Sequence, residues 1–586
     1  MNTKIVYILL GLSIALFSCK TNQKIDSAVI TGKVDINWSK KIKLKNGAIS
    51  LIDPWINRVN IGDTIINLNV DGTFQIKLPI KKADFYTLSH ESNEIQLFLS
   101  PNDSLNIDFN SETIFSGRGE KQNNHLKSMR DMINSNRKYI NGIEFYSQSS
   151  AAINFILDSL ELVYVNKHKK FKQRNTVNEI FEQKVLSDIA YRNKLYKIVH
   201  PPLFKQRTNE NLPIKKTYYQ DIAKGSFNNP ALLKSLDYVM FLDAYMNAQP
   251  ASEYKQGNYF DAPIEKIHPR YAQIQQLEAH QEIKDYLFKE HLNKSMDDYG
   301  ISYLKDLMPK FRENCKNPKF IKQIEGRFQK GIEERKEPST IKIYKKIGNI
   351  ELEAHIFYPQ DFKEGDQRPG YLFFHGGGWA IGTPEWGYDR CKNYSSKGMV
   401  AISFEYRLIN IHQSTILDCV RDAKSAILWT RKQAKSLGIN PNKIVAAGFS
   451  AGAHLAACTA ILNEYEETDD SGLSAKPNAI IVHSASNNML KSNWFAINSE
   501  QKAESISTFH QLDKNLVPAI FFHGTDDHLA PIAEFTAFRD KMDALGNDYE
   551  YKIFENVGHF FNNPEARKTV QKMTEAFLVR LEYIDK

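Results

Sequence analysis

Between Ser27 and Phe115, apolar residues come in short runs separated by turn residues. Ala28-Val29-Ile30-Thr31-Gly32-Lys33-Val34 and Ile95-Gln96-Leu97-Phe98-Leu99 read as strands, with Asp71-Gly72 and Pro101-Asn102-Asp103 as turns. This pattern predicts a small β-sandwich over 27–117. From about Glu120 the period lengthens and glycine becomes sparse. Ile153, Ile156, Leu160 and Val163 fall on one helical face, and Leu232, Leu236, Met240 and Tyr245 nearly repeat the spacing. Pro201-Pro202 and the stretch from Asn209 to Pro213 are expected to break helices. An irregular α-helical domain over 118–332 follows. The stretch Glu333–Thr340 (EERKEPST) has no apolar residue and reads as a linker, 333–340. From Ile341 onward strand and helix signals alternate. Strands are expected at Ile341–Lys346, Ile350–Tyr358, Tyr371–Phe374, Met399–Tyr406, Lys443–Ala447, Ala479–Val482, Ala519–Phe522 and Tyr549–Phe554. A helix is expected from about Ser414 to Leu437, stopped by Gly438, and another from Pro531 to Leu545. The prediction for 341–586 is a mostly parallel α/β sheet flanked by helices, and the chain as a whole is multidomain.

Composition narrows the class. Of 586 residues, 42% are hydrophobic and 25% charged, ordinary globular values that exclude a wholly disordered or collagen-like chain. The net charge of +8 is mild for this length, so no nucleic-acid partner is expected. Five cysteines are too few for a disulfide framework.

The N-terminus carries a separate signal. Lys4 precedes a mainly apolar stretch from Ile5 to Leu16, too short to span a bilayer and suited to the core of a secretory signal. It ends in Leu16-Phe17-Ser18-Cys19, which resembles a bacterial lipobox. The resemblance implies a signal peptide over 1–18, cleavage before Cys19, a diacylglycerol on its thiol, and a polar tether over 19–26. The chain would then be anchored to a membrane rather than span it. No Asp follows Cys19 and no acidic cluster follows it, so the expected address is the cell envelope, on the outer membrane facing the periplasm. A plain signal peptide with a chance Cys is the alternative.

Asp71-Gly72-Thr73-Phe74, the Leu99–Leu105 stretch and Phe115-Ser116-Gly117 with Asn123-Asn124 resemble the N-terminal half of Gram-negative lipoproteins that end in a thioredoxin-like domain. That domain is missing here. Cys315, Cys391, Cys419 and Cys458 form no CxxC pair, which argues against redox chemistry.

Three interruptions of the α/β pattern carry candidate chemistry, each at the C-terminal end of an expected strand, where open parallel sheets bind ligands. Gly448-Phe449-Ser450-Ala451-Gly452 lies between a buried strand and a helix, so its glycines permit a sharp turn that exposes the Ser450 hydroxyl. His375-Gly376-Gly377-Gly378-Trp379 follows an aromatic strand. Backbone N–H groups of Gly377 and Gly378, with that of Ala451, could hold an oxyanion. The third is His523-Gly524-Thr525-Asp526-Asp527 followed by Gly558-His559. An acyl-transfer triad needs a base touching the nucleophile and an acid fixing that base, and the chain order Ser450, Asp527, His559 supplies them. A metal site from His523, Asp526, Asp527, His528 and His559 is not expected, because the triad already uses two of them.

HGGGW at His375–Trp379, EYRL at Glu405–Leu408, GFSAGAHLA at Gly448–Ala456, HGTDD at His523–Asp527 and GHFF at Gly558–Phe561 together resemble the α/β-hydrolase superfamily. Within it, 341–586 is similar to acetyl esterases, the hormone-sensitive-lipase-like group and bacterial feruloyl/acetylxylan esterases. The resemblance implies a carboxylic ester hydrolase acting on short-chain acyl or acyl-sugar esters through an acyl-enzyme, with no cofactor and no metal. Ser450 would be the nucleophile, His559 the base and Asp527, the fifth position of HGTDD, the acid. The partners implied are a small ester or acylated carbohydrate and, through Cys19, a membrane. A serine peptidase of the prolyl-oligopeptidase type and an inert binding lipoprotein stay open as alternatives. Trp379 and Trp386, in or just after the oxyanion loop, are aromatic candidates for a sugar or feruloyl ring.

Overall fold

The computed structural model describes residues 27–34, 41–46, 64–90, 93–108, 113–140, 143–208, 210–248, 267–465, 472–490 and 500–585. The expected signal peptide 1–18, the tether 19–26 and Cys19 lie outside the described residues. Among the described residues no helix is long and apolar enough to cross a membrane. Contacts divide the chain into two compact units, one of 1–200 with 231–244 and one of 201–230 with 245–586. This differs from the expected boundaries, because the stretch 118–332 is shared between the two units.

The first unit begins with eight strands: β1 (Ser27–Lys33), β2 (Lys41–Asn46), β3 (Thr64–Asn67), β4 (Thr73–Pro79), β5 (Asp84–His90), β6 (Asn93–Leu99), β7 (Ser104–Asp108) and β8 (Ile114–Arg118). They form two four-stranded sheets, β4-β1-β7-β8 and β3-β2-β5-β6. Alternating side chains such as Ile30, Leu105, Leu44 and Leu88 meet in one core. Phe85 and Phe98 point the other way and pack against Met129, Ile133 and Phe181 of the following helices. Asn123 fixes that junction, accepting from the Phe98 N–H at 2.8 Å and donating to the Phe98 carbonyl at 2.9 Å.

Three expectations for the helical stretch are corrected. Helix Ser150–Arg174 buries Ile153, Leu157, Tyr164 and His168, whereas Val163 of the expected face is 49% exposed. The large, partly polar Tyr164 and His168 complete the buried stripe, and counting only aliphatic positions turned the face away from it. Pro201 and Pro202 do not end their helix, which runs from Glu179 to Thr208. Two prolines remove two ladder donors without stopping the coil, and the division between the units falls beside them, at His200 and Pro201. The stretch 333–340 is not a free linker. Helix Pro318–Glu334 runs into it, and Arg335 pairs with Glu353 at 2.5 Å and Glu385 at 2.9 Å. Glu337 pairs with Lys392 at 2.8 Å, and the next strand begins at Thr340.

The second unit holds helices Gln281–Tyr299, Leu307–Asn314 and Pro318–Glu334, then an eight-stranded sheet. Its strands are β9 (Thr340–Ile347), β10 (Ile350–Phe357), β11 (Arg368–Phe374), β12 (Val400–Phe404), β13 (Ile439–Phe449), β14 (Ala479–His483), β15 (Ala519–Gly524) and β16 (Tyr549–Phe554). The order is β16-β15-β14-β13-β11-β12-β10-β9. β9 and β10 form the expected antiparallel hairpin, β10 pairs antiparallel with β12, and the other six strands run parallel. Every residue of β12, β14 and β15 is buried, as befits parallel strands covered on both faces. The helix expected from Ser414 to Leu437 is two pieces, Ile416–Lys432 and Ala434–Leu437. Thr415 and Asp418 close a capping box at its start, and Gly438 takes a left-handed conformation (φ 65°) at its end. The C-terminal ends of β11, β13, β15 and β16 lie on one side of this sheet, where the candidate residues emerge.

Candidate active site

β13 ends at Phe449 and helix Ala451–Ile461 begins one residue after Ser450. The turn between them is tight enough to hold Ser450 at φ 54° and ψ −119°, a conformation that non-glycine residues rarely adopt. The flanking glycines make this geometry possible. A Cβ on Gly448 would lie 2.1 Å from the Gly452 carbonyl oxygen, and one on Gly452 would lie 2.0 Å from that of Phe374. The strained backbone is held from the neighbouring strand, where the His483 carbonyl accepts from the Ser450 N–H at 2.9 Å.

The loops after β15 and β16 bring two further side chains to this turn. His559 Nε2 lies 2.8 Å from Ser450 Oγ, and His559 Nδ1 lies 2.7 Å from Asp527 Oδ2. Asp527 is buried, and its other oxygen accepts from the N–H groups of Leu529 and Ala530 at 2.9 and 2.8 Å. A carboxylate so bound accepts from Nδ1–H of the imidazole. Nε2 is then left with a lone pair facing the serine hydroxyl. Asp526 contributes no contact to His559; its N–H donates to the Val557 carbonyl at 3.1 Å.

The loop after β11 covers the other side of Ser450. Gly376 packs so closely that a Cβ there would lie 3.4 Å from the Ser450 Cβ. Gly377, at φ 111°, has no room for a side chain against the Ile381 carbonyl, which a Cβ would approach to 2.1 Å. The Gly377 carbonyl closes the turn by accepting from Ala380 and Ile381 at 3.1 Å each. Among the described residues nothing accepts from the N–H groups of Gly377, Gly378 or Ala451. His375 anchors the loop. Its Nδ1 donates to the Gly376 carbonyl at 2.8 Å, its ring stacks on Tyr406 at 4.3 Å, and the Tyr406 hydroxyl donates to the His375 carbonyl at 2.8 Å. Burial pushes the His375 imidazole down to about 4, so it is neutral and shapes the loop. His454 is likewise pushed down to about 4 by burial, and its Nε2 donates to the Ile506 carbonyl at 2.9 Å. The two tryptophans separate. Trp379 is buried edge-on to His454, which removes it as a ligand platform, whereas Trp386 is 43% exposed.

His483, Tyr303 and His412 of this neighbourhood were not singled out from the sequence, and His523 and Glu405 were named there only within motifs or as metal-site members. His483 is buried beside the turn with its ring edge-on to Phe449, and burial holds its imidazole well below the usual range. His523 donates from Nε2 to the Ala530 carbonyl at 2.7 Å and lies 3.6 Å from Asp527 Oδ2, bracing the acid's loop. A half-buried network also ties the preceding helices to the sheet. The Leu408 N–H donates to His412 Nδ1 at 2.9 Å, so His412 Nε2 carries the proton and donates to Tyr303 Oη at 3.2 Å. Tyr303 in turn donates to Glu405 Oε1 at 2.9 Å. Burial, reinforced by the Glu353 charge, pushes the Glu405 carboxyl up to about 7. The Gly382 N–H donates to the Asp298 carbonyl at 2.6 Å, and the Ile409 N–H to the Trp379 carbonyl at 2.9 Å. Nothing local in the sequence signals these contacts, since Tyr303 and Glu405 are 102 residues apart. Cys315, Cys391, Cys419 and Cys458 are buried free thiols. Among the described residues no group of three or more His, Cys, Asp or Glu side chains is arranged to hold a metal ion.

Residues 355–482, which contain the Ser450 turn and the glycine loop, match the BD-FAE family model. The C-terminal part of the chain contains a BD-FAE domain. Homologues of this part are esterases of the α/β-hydrolase type. An isoprenylcysteine alpha-carbonyl methylesterase of Arabidopsis thaliana is 28% identical over 216 residues, covering 33% of this chain and 50% of the relative. The esterase LipC of Mycobacterium tuberculosis is 23% identical over 228 residues, covering 34% of this chain and 55% of the relative. The chain spans about half the length of the curated relatives it matches. A thermophilic esterase of Thermogutta terrifontis, solved with propionate bound, is 34% identical, covers 42% of this chain and 96% of its own, and superposes with a TM-score of 0.40.

Proposed function

We propose that this chain hydrolyses carboxylic esters through an acyl-enzyme on Ser450. The observation that carries the reading is the unbroken hydrogen-bond line from Ser450 Oγ through His559 to Asp527, at 2.8 and 2.7 Å, beside three backbone N–H groups with no acceptor among the described residues. His559 takes the Ser450 proton as Oγ attacks the ester carbonyl. The N–H groups of Gly377, Gly378 and Ala451 receive the oxyanion, each donor contributing roughly 2.7–4 kcal/mol when engaged. His559 returns the proton to the leaving alcohol, then activates the water that frees the acid. Asp527 holds the imidazole in the required tautomer. The BD-FAE match and the two relatives named as esterases support this chemistry.

Short-chain acyl esters, including acylated sugars, are the proposed substrates. The proposal extends to the N-terminus, where the run from Ile5 to Cys19 supports a lipid anchor on Cys19 and a place in the cell envelope. The test is hydrolysis of p-nitrophenyl acetate, butyrate and octanoate beside Ser450→Ala. Turnover lost in the variant by about 10⁴-fold or more is expected. Equal turnover in both, or none in either, overturns the reading, and peptide p-nitroanilides cleaved in place of esters would make the chain a serine peptidase.

A further inference from the structure

We propose that the outer face of helix Ser150–Arg174, in the first unit, docks on an anionic lipid bilayer. The helix has 25 residues and is about 38 Å long at 1.5 Å per residue. It buries Ile153, Leu157, Tyr164 and His168 against its own unit. At about 100° per residue, the direction opposite that stripe is the one Phe155 takes, and Phe155 is 75% exposed. Leu162, two turns on, falls about 20° from Phe155 and is 60% exposed. Val163 stands beside it and is exposed too. A helix that is apolar on both faces is ordinarily covered on both. Here one apolar face meets solvent.

The same face turns basic toward the C-terminal end of the helix. Lys169 and Lys170 lie within about 60° of Phe155 and are exposed. Neither makes an ion pair among the described residues. The acids of the helix are already engaged, Asp158 by Lys197 at 2.7 Å and Glu161 by the Asn193 amide. A second copy pairing through this face would therefore bring no unpaired acid to the two lysines. An apolar stripe that runs into unpaired cations matches the boundary of an anionic bilayer. The phenyl and isobutyl groups enter the acyl region, and the ammonium groups stay among the phosphates.

Chain connectivity brings a bilayer to this side of the unit. β1 begins at Ser27, paired with Pro79. Six residues after Pro79 comes Phe85, whose ring lies 6.2 Å from Phe181, and Phe181 lies 6.3 Å from Phe171 at the basic end of the helix. Lys81 and Lys82, exposed on the turn between Pro79 and Phe85, add positive charge at the same end. Eight Cα steps separate Cys19 from Ser27, a reach of at most ~29 Å. A lipid on Cys19 would hold this end of the unit at the membrane, and docking of the helix would add a set orientation to attachment at one point. The proximity rests on the lipid anchor proposed above; the exposed face does not.

The test takes the chain from Lys20 to Lys586, which lacks the anchor and keeps every described residue, through flotation with phosphatidylglycerol and phosphatidylcholine vesicles. Binding to the anionic vesicles alone is expected, weakening as salt is added. It is expected to fall about tenfold or more in Phe155→Ser/Leu162→Ser, and about tenfold in Lys169→Gln/Lys170→Gln. All four side chains are exposed, so their replacement leaves the fold intact. No binding, binding unchanged in the variants, or binding that ignores lipid charge would overturn the proposal. Self-association in place of vesicle binding would also overturn it and give the face to a second copy. The anchor is read separately, by mass spectrometry of Cys19 in the full chain extracted from membranes. A lipidated chain whose unacylated form ignores vesicles refutes the docking face alone, and a chain that docks without lipid on Cys19 refutes the anchor alone.

Discussion

Glu405 makes the stability of the second unit depend on pH in a direction opposite to that of most carboxylates. It is half-buried between Tyr303 and the Glu353 N–H, which donates to its second oxygen at 3.0 Å. Its carboxyl is raised from the ordinary 4.5 to about 7. Between those values the folded chain binds more protons than the unfolded chain, so stability falls as pH rises through the window and levels off above about 7. At 1.36 kcal/mol per pH unit, the fully ionised side chain costs about 3 kcal/mol. Glu405→Gln removes the charge and with it the pH term. The amide also faces the Glu353 N–H with a donor or turns one to Tyr303, but that cost does not change with pH and cancels when two pH values are compared. The assay is urea unfolding of both proteins at pH 5, 6, 7 and 8. It is followed by tryptophan fluorescence, because Trp429 packs edge-on to Phe404 at 6.1 Å, next to Glu405. Between pH 5 and 8 the variant is expected to gain about 2–3 kcal/mol on the parent. Parallel stability curves would refute the reasoning, since they would mean that Glu405 ionises folded as it does unfolded.

Two further substitutions test the active-site geometry. Asp527→Asn is expected to lower kcat toward p-nitrophenyl acetate by about 10⁴-fold with little change in KM, because the amide no longer fixes the His559 tautomer; a loss below tenfold would remove Asp527 from the mechanism. Gly452→Ala drives a Cβ to 2.0 Å from the Phe374 carbonyl and 2.4 Å from that of His375, and is expected to cost about 3 kcal/mol or more. A thermal midpoint unchanged by calorimetry would show that the turn does not need this close approach.

The residues around Ser450 were legible because the chemistry is written locally. The strand Lys443–Ala447, the glycines on either side of Ser450 and the following helix occupy one short stretch, and the structure extends that strand only to Ile439–Phe449. The chain order Ser450, Asp527, His559 placed the three residues after β13, β15 and β16, and the parallel pairing of β13 to β16 through β14 brings those ends to one side of the sheet. The sandwich strands were legible for the same reason, since alternation is a property of neighbours. The connector at 333–340 was not. A charged, apolar-free stretch looks like solvent-exposed chain, and only the partners of Arg335, 18 and 50 residues away, show that it is pinned. The Tyr303–Glu405–His412 network was hidden too, because a Tyr amid helical periodicity carries no mark of its distant carboxylate. Pro201-Pro202 misled in the other direction, as a strong local rule gave way within a long helix.

The carbonyl of Asp298, the hydroxyl of Tyr303 and the guanidinium of Arg335 all reach into loops of the sheet from chain that precedes it. For modular exchange between proteins this moves the seam. A crossover at residue 340 would deliver the eight-stranded sheet without the groups that occupy Gly382, Glu405 and Glu353, and would strand those groups on the donor's remnant. The segment that keeps these contacts begins upstream of Gln281, so helices that look like an accessory to the eight-stranded sheet are inherited with it.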